Sequence, residues 1–364
     1  MKRTTLFLAL AAASAPTHAE PVEPTWGLFI PQGITVVDFN IGQGRVSSQF
    51  NEQGKPERFS TTLSGVPLDG FGLVGDSSQV ELSFETNFIE ITAGHGITDD
   101  LAVGVRLPLV DSCSDAKVGT RNGSGDVLSA ALTAQAGPFA YEDVGSHCDS
   151  GLVAPIVGAF WRIHSSGRDS LFFMPGIRLG RMTDKNDPDI LFQPIADDGA
   201  NDLILRFDYF RDLGYRFDLA VQLEHGINLS DRQTLRVPQS MLSITPAAFK
   251  ERLKRDVGDY TILDIEFGYR FLDDQMRVFA AYYQKNKGKD SYKSPSGQST
   301  FYLSDNSDFR DQEYRIGLNW NGIPAWQRGA LPLPIQLELN FWESFRGKNA
   351  LKYYYNEFKV SLAF

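Results

Sequence analysis

The amino-acid sequence predicts an all-β fold, a transmembrane antiparallel up-and-down β-barrel of about 12 strands. Three observations lead to this prediction. The C-terminal segment alternates apolar and polar residues, the N-terminal segment has the pattern of an export signal, and the connections between strand-like segments mostly alternate between long and short. The sequence contains no apolar run of the roughly 18 residues that a membrane-spanning helix needs.

The C-terminal segment carries the strongest signal. Phe358, Val360, Leu362 and Phe364 are apolar, and polar or small residues lie between them. Alternation with a period of two produces a strand with one apolar face and one polar face. Such a strand ending in Phe resembles the C-terminal signature of outer-membrane β-barrels. We therefore expect the barrel-assembly machinery to bind this strand.

The N-terminal segment predicts export. A positively charged start precedes a short apolar core at 6–15, and the small residues up to Ala19 fit a cleavage site. The apolar core is shorter than the roughly 20 residues of a transmembrane helix. The sequence therefore predicts a signal peptide over 1–19, a single barrel domain over 20–364, and location in the cell outer membrane.

The composition narrows the classes of partner. The chain has 35 Lys and Arg against 45 Asp and Glu, which gives a formal net charge of −10 and argues against nucleic acid. Acidic loop segments do not have the spacing of an EF-hand, so we predict neither a metal nor a cofactor. The 33 glycines and 12% aromatic residues fit the turns and interfacial girdles of a barrel. We expect contact with outer-membrane lipid and lipopolysaccharide.

The strands follow one another by alternation along the whole chain. They are predicted at 33–50, 80–94, 101–109, 152–162, 170–180, 202–210, 215–226, 260–271, 276–284, 313–321, 333–345 and 350–364. The count is twelve, with ten or fourteen as alternatives because the first strand is poorly defined. The long loops all fall on one side, which we predict to be external, at about 51–78, 112–151, 182–201, 227–259 and 285–311.

Charged residues recur on the polar face of these strands. A charge that faces lipid at mid-depth costs about 2–4 kcal/mol, so these residues must point into the barrel. The candidate lumen-lining residues are Arg106, Arg178, Arg206, Asp208, Arg216, Asp218, Glu224, Asp264, Glu266, Arg270, Arg277, Glu313, Arg315, Glu338 and Lys359. Two interpretations stay open: the residues line a small passage, or they pair across a narrow barrel and fill it.

Cys113 and Cys148 lie in one long segment that reads as irregular. An exported protein meets an oxidising compartment, so the two residues are expected to form a disulfide. Closing the loop from Cys113 to Cys148 with a disulfide stabilises it by roughly 3–4 kcal/mol in the simple treatment of loop-closure entropy. A metal site is disfavoured because only His147 lies nearby.

One loop segment has the pattern of a helix. Thr245 is a suitable N-cap, Pro246 fits the first turn, and good helix formers continue to Arg255. We predict a helix over 245–255, either on the surface or folded into the mouth of the barrel.

The first third of the chain resembles a known family. Ile30-Pro-Gln-Gly33 opens a strand, and His95-Gly-Ile-Thr-Asp-Asp-Leu101 leads into Val103-Gly-Val-Arg-Leu-Pro108. This resembles the outer-membrane transporters of the "meta-pathway of phenol degradation" family, in which a Tyr-Gly-Leu-Thr-Asp turn precedes a strand that ends in Leu-Pro. His95 replaces the aromatic residue of that turn. The resemblance implies uptake of aromatic or other hydrophobic compounds, but its motifs are structural and transfer no functional residue.

Catalysis is a weaker interpretation. No Gly-x-Ser-x-Gly occurs between a strand and a helix, and His225 is predicted to point outwards. Ser146 and His147 have no acidic partner that the sequence fixes in place. We therefore predict no catalytic residue and a passive channel or transporter for small solutes, including aromatic or hydrophobic compounds. The alternatives are a closed structural or adhesive barrel with partner-binding loops and, third, an outer-membrane hydrolase.

Overall fold

The computed structural model describes most of the chain after residue 29. The described residues are 30–65, 67–69, 73–123, 126–133, 141–180, 187–194, 199–237 and 249–364. The predicted signal peptide, 1–19, lies outside these ranges.

Twelve antiparallel strands form a closed barrel, which confirms the predicted fold. They are β1 (Thr35–Phe50), β2 (Ser78–Gly96), β3 (Leu101–Thr120), β4 (Ile156–Ser165), β5 (Asp169–Arg178), β6 (Asn201–Gly214), β7 (Phe217–Leu229), β8 (Tyr260–Phe271), β9 (Met276–Lys287), β10 (Phe309–Asn321), β11 (Ile335–Lys348) and β12 (Ala350–Ala363). Each strand pairs with the next, and β12 pairs with β1. At this seam Thr35 and Phe364 exchange backbone hydrogen bonds of 3.1 and 2.9 Å. The seam leaves the sheet without a free edge.

Short elements occupy the connections. Within the described ranges the additional strands are Pro56–Arg58, His147–Leu152, Asp231–Val237, Phe249–Asp256 and Ser291–Lys293, and the helices are Phe59–Leu63, Asp126–Thr133, Phe301–Ser304 and Ile323–Gln327. The last three of these strands form a small separate sheet. None of the helices in the described ranges has the length and apolar content that crossing a membrane requires.

The predicted disulfide is present, but its surroundings differ from the prediction. Cys113 and Cys148 are bonded with an S–S distance of 2.08 Å, and they lie directly opposite each other on paired strands. The segment is not irregular, because β3 continues to Thr120 and His147–Leu152 pairs with it. The polar residues of this extension hid its strand character in the sequence.

The predicted helix over 245–255 is wrong over its described part. Residues from Phe249 onwards form a strand that pairs with Asp231–Val237, while 245–248 lie outside the described residues. In this strand Leu253 is fully buried, in a cluster with Val237 and Leu303. Pairing and burial outweigh the local helix propensity of the segment.

The two faces of the barrel differ as the alternation predicted. Each strand presents an apolar residue to the outside, between 38% and 54% exposed; in strand order these are Ile41, Ile89, Val103, Val157, Ile177, Leu203, Leu223, Ile265, Val278, Ile316, Leu339 and Phe358. At the C-terminus Phe364 is also exposed, and Val360 and Leu362 are half-buried. Level with these apolar residues, the inner face carries polar and charged side chains, so apolar groups face the surroundings and these charges face inwards.

Candidate functional site

The lumen of the barrel is the candidate functional site. Its two ends differ in the connections that the strands make there. The turn end has the connections 97–100, 166–168, 215–216, 272–275 and 322–334. The loop end has five long connections, 51–77, 121–155, 179–200, 230–259 and 288–308, and the single residue Asn349 between β11 and β12. The strand β1 begins at the turn end, and β12 ends there.

An ion-pair network crosses the inner wall formed by β7, β8, β9 and β10. Arg277 Nη2 lies 2.6 Å from Asp218 Oδ1 and 2.6 Å from Glu266 Oε1. Arg315 Nη2 lies 2.6 Å from Glu266 Oε2 and 3.6 Å from Asp264 Oδ2. All five side chains are at most 3% exposed. Burying such charges costs several kcal/mol each unless they are paired, so the network fixes the relative positions of these four strands.

The other predicted lining residues also lie on the inner face, with one exception, and most have partners there. The ion pairs are Arg106–Glu90, Arg178–Asp202, Arg206–Asp208, Arg270–Asp212, Arg270–Asp218 and Lys359–Asp38. Glu224 accepts a hydrogen bond of 3.0 Å from Tyr260, and Glu338 accepts one of 2.6 Å from Asn340. Glu313 accepts a hydrogen bond from Tyr353. Because most of these charged side chains are paired with one another, they favour a narrow lumen.

Arg216 is the exception, and its placement in the lumen is wrong. It lies in the turn between β6 and β7, where Tyr215 and Arg216 have φ of 51° and 73°. Its side chain is exposed at the turn end. The alternation of inward and outward side chains does not continue through a turn in which both residues have a left-handed backbone conformation.

Large aromatic side chains form a layer across the loop-end half of the lumen. Tyr260, Tyr283, Trp342, Tyr353 and Tyr355, called the aromatic layer here, are at most 5% exposed and pack in one cluster. The ring centroids of Trp342 and Tyr355 are 5.2 Å apart, and those of Tyr283 and Trp342 are 6.1 Å apart. Sequence reasoning missed this layer because it counted only charged and polar residues at the inward positions. The same alternation places these aromatic residues on the inner face.

Glycines free one part of the inner wall from side chains. Gly94, Gly104, Gly158 and Gly176 lie opposite one another on β2, β3, β4 and β5, and we call them the glycine row. A Cβ on Gly104 or Gly158 would lie 2.9 Å from a backbone oxygen of the neighbouring strand, so the wall bends sharply here. At one end of the row the side chain of Ile30 occupies the space beside Gly94.

Apolar side chains cover the loop end of the lumen next to β2 and β3. Phe59, Leu63 and Phe192, called the apolar plug, are at most 3% exposed. They pack against Val80 and Leu82 on the inner face of β2. The plug places side chains from two different long connections inside the mouth of the barrel.

A charged residue fastens the segment that carries Phe192. Within this segment, 187–194, Asp189 forms ion pairs with Arg236 and with Lys250, the latter at 2.5 Å. The guanidinium of Arg236 also lies over the ring of Tyr141, 4.2 Å from its centroid. We call 187–194 the strap, because it joins the inner face of β2 and β3 to the hairpin above β7 and β8.

Burial makes the Tyr141 hydroxyl hard to ionise. Loss of solvent raises the pKa of Tyr141 to about 12, the positive charge of Arg236 opposes this rise, and Asp189 adds to it. Tyr141 therefore stays neutral at ordinary pH and supplies a ring face to Arg236.

Three of the histidines in the described ranges have polar partners. His225 lies on the outer face and shares a hydrogen bond of 3.1 Å with Thr261, and His95 shares one of 2.9 Å with Thr35. His147 Nδ1 is 3.8 Å from Asp143, but no serine hydroxyl in the described ranges is hydrogen-bonded to the imidazole of His147. A hydrolytic centre of the serine type needs a serine hydroxyl bonded to its base, and within the described ranges none of these three histidines has one.

Comparisons with known proteins place the fold. No family model matches the chain, and no curated protein matches it. The crystal structure of the COG4313 outer membrane channel from Pseudomonas putida F1 is similar with a TM-score of 0.58 at 12% identity, over 94% of this chain and 100% of that one. At this identity the likeness shows the fold. The chain has the same fold, a closed antiparallel β-barrel.

Two further solved structures are less similar. A mutant of the monoaromatic hydrocarbon channel TodX has a TM-score of 0.43 at 10% identity, covering 94% of this chain and 92% of that one. The β domain of the Bordetella autotransporter BrkA also has 0.43, at 8% identity, covering 92% and 100%. These values are too low to inform the function of this barrel. The resemblance to the phenol-degradation family stays a prediction.

Proposed function

We propose that this outer-membrane barrel is a channel for the passive uptake of small solutes, with its loop end facing the outside of the cell. The glycine row carries the proposal. Four adjacent strands lack a side chain at the same height, which leaves room along the wall formed by β2 to β5.

Solvent exposure inside the barrel supports a passage along the glycine row. Thr92, Arg106, Ile156 and Met174 point inwards beside the row and are half-buried. The inward charges of the opposite wall, β8 to β12, are for the most part fully buried. Water therefore reaches the lumen beside the glycines and hardly reaches the ion-pair network.

The solute class follows from the groups that a solute would meet. From the loop end it passes the apolar plug and the aromatic layer before it reaches the charged half of the lumen. Apolar and aromatic surfaces attract hydrophobic solutes by burial and ring contacts. We therefore propose small solutes that include aromatic or other hydrophobic compounds, in agreement with the family resemblance of the first third.

A closed structural barrel is the second candidate. The apolar plug favours it, since Phe59 and Leu63 are fully buried and fill the mouth beside β2. In that case the long loops would bind a partner, and the lumen charges would only pack.

Single-channel conductance in planar bilayers tests the proposal. The refolded protein should produce reproducible conductance steps. Gly176→Leu should reduce their size, because a Cβ on Gly176 makes only ordinary contacts of 3.4–3.8 Å and a larger side chain would project into the passage. Ile30→Ala should increase it, by emptying the space beside Gly94. Silence in protein whose folded state is shown by its heat-dependent gel mobility would contradict the channel and favour the closed barrel.

Solute uptake tests the substrate class separately. Liposomes that contain the protein should take up a small aromatic solute faster than a sugar of similar size. Equal rates for the two solutes would contradict a preference for hydrophobic compounds, and leave the channel itself in place.

A further inference from the structure

A group of cationic side chains on the outer wall has no role in the lumen. Arg310, Arg346 and Lys352 lie on β10, β11 and β12 at the loop end, and we call them the basic patch. We propose that the basic patch binds the phosphate groups of lipid A, the membrane-embedded part of lipopolysaccharide. The proposal uses the orientation given above, in which the loop end faces outside.

Strand register places the three residues on one surface. Arg346 is opposite Gln312, which is adjacent to the inward-facing Glu313 and therefore points outwards. Arg310 is two residues from Gln312 on the same strand and shares its face. Lys352 is two residues from the outward-facing Tyr354 on the neighbouring strand. Side chains at direct and diagonal positions of adjacent strands have Cβ atoms roughly 5–8 Å apart, so all three can reach one phosphorylated headgroup.

The patch is positively charged although the chain is acidic overall. Within the described ranges none of the three residues forms an ion pair, and Arg310 donates one hydrogen bond of 2.9 Å to Asn286. Two other cations near the patch are paired, Lys348 with Asp308 at 2.6 Å and Arg45 with Glu85 at 3.8 Å. Glu343 on β11 accepts a hydrogen bond from Tyr314 and keeps its negative charge, so the three cations of the patch leave this surface with a net positive charge. The whole chain has a net charge of −10, so the positive charge of the basic patch is a local departure from the charge of the chain as a whole.

The neighbouring wall has the opposite sign. At the same end, the outer faces of β2 and β3 carry Glu81, Asp111 and Asp115, with Lys117 paired to Glu81 at 3.3 Å. An anionic headgroup would be repelled there and attracted to the basic patch. The barrel is therefore expected to hold lipid A on one side only.

Aromatic residues set the height of the patch relative to the membrane. Just towards the turn end from the patch, the rings of Tyr282 and Tyr314 lie 6.3 and 6.2 Å from the ring of Phe345 on the outer face. Aromatic residues on the outside of a barrel lie at the level of the lipid headgroups. The basic patch thus lies at the depth of the phosphates, and a guanidinium can bind a phosphate through two parallel hydrogen bonds.

Direct binding of purified lipid A tests the proposal. The refolded full chain in detergent is titrated with bisphosphorylated lipid A, and binding is measured by isothermal titration. The variant R310Q/R346Q/K352Q should bind roughly 100-fold more weakly, since each Lys or Arg near an anionic lipid surface contributes about a factor of five. Heat-dependent gel mobility verifies that the variant barrel is folded.

A matched variant controls for the loss of charge alone. R168Q/R216Q/R328Q removes three exposed arginines at the turn end and should bind lipid A as the wild type does. Dephosphorylated lipid A should bind weakly to both proteins. Unchanged binding by the patch variant would overturn the proposal, as would equal binding of dephosphorylated lipid A. Patch-dependent binding of phosphatidylglycerol vesicles as tight as that of lipid A would show that the site accepts any lipid phosphate, and would overturn the assignment to lipopolysaccharide.

Discussion

Arg277 on β9 binds Asp218 on β7 across an intervening strand. Its Nε and Nη2 donate hydrogen bonds of 3.0 and 2.6 Å to Asp218 Oδ1. The residue between them on β8 is Gly268, which lies directly opposite Asp218. Any Cβ at this position would overlap both the guanidinium and the carboxylate. The absence of a side chain on Gly268 therefore allows the ion pair to form.

Gly268→Ala should destabilise the barrel by breaking this ion pair. A displaced, buried charge without its partner costs about 3–5 kcal/mol. Gly176→Ala is the matched control, because its added methyl group would meet its neighbours at ordinary contact distances. The free energy of unfolding is measured by urea titration in lipid vesicles. Equal stability of the two variants would contradict this role of Gly268.

Arg277→Gln should be destabilising for the same reason. The change leaves Asp218 without its 2.6 Å partner and Glu266 with Arg315 alone. We expect a loss of about 3–5 kcal/mol, and a smaller additional loss when Asp218→Asn is combined with it. A double-mutant cycle on urea unfolding measures this coupling, and strictly additive losses would argue against it.

Asp189→Asn should release the strap. The strap loses its ion pairs with Arg236 and Lys250, and hydrogen bonds to charged groups contribute about 1.5–3 kcal/mol. Trypsin should therefore cleave near the strap roughly 10–100 times faster. Glu251→Gln is the control, because Glu251 lies on the same hairpin as Arg236 and Lys250 but accepts its hydrogen bond from Ser294, in the connection between β9 and β10. Faster cleavage in both variants would indicate a general loosening of the loops.

Alkaline pH should loosen the same region through Tyr141. Its pKa is raised from 10.0 to about 12 in the folded protein, so its contribution to stability is complete below pH 10 and disappears as the pH rises to 12. The expected loss is about 2–3 kcal/mol. Tyr141→Phe should remove this part of the pH dependence when urea unfolding is followed from pH 9 to 12. A parallel loss in the variant would assign the effect to other tyrosines.

Alternation along the strands predicted the barrel and most of its inner face. Glu266 and Arg315 are buried and paired with each other, and the cost of a lipid-facing charge at mid-depth is the reason to expect them inside the barrel. The same rule says nothing about aromatic residues, which are tolerated on either face, so Tyr283 and Trp342 were missed. Long-range contacts explain the other differences. Leu253 lies in a strand because a hairpin partner buries it, and no local pattern records that partner.

The seam between β1 and β12 has a consequence for biogenesis. It pairs Val36 with Ala363, residues from opposite ends of the described sequence. Until that contact forms, the backbone amides and carbonyls along the edges of β1 and β12 have no partner, and the lipid chains cannot form hydrogen bonds with them. Stepwise insertion of single hairpins is therefore unfavourable, and the polypeptide must remain unassembled during transit until both seam strands are present. During this interval the unpaired edges of β1 and β12 can pair with other chains. Other cellular factors must therefore protect the chain from aggregation until the barrel closes.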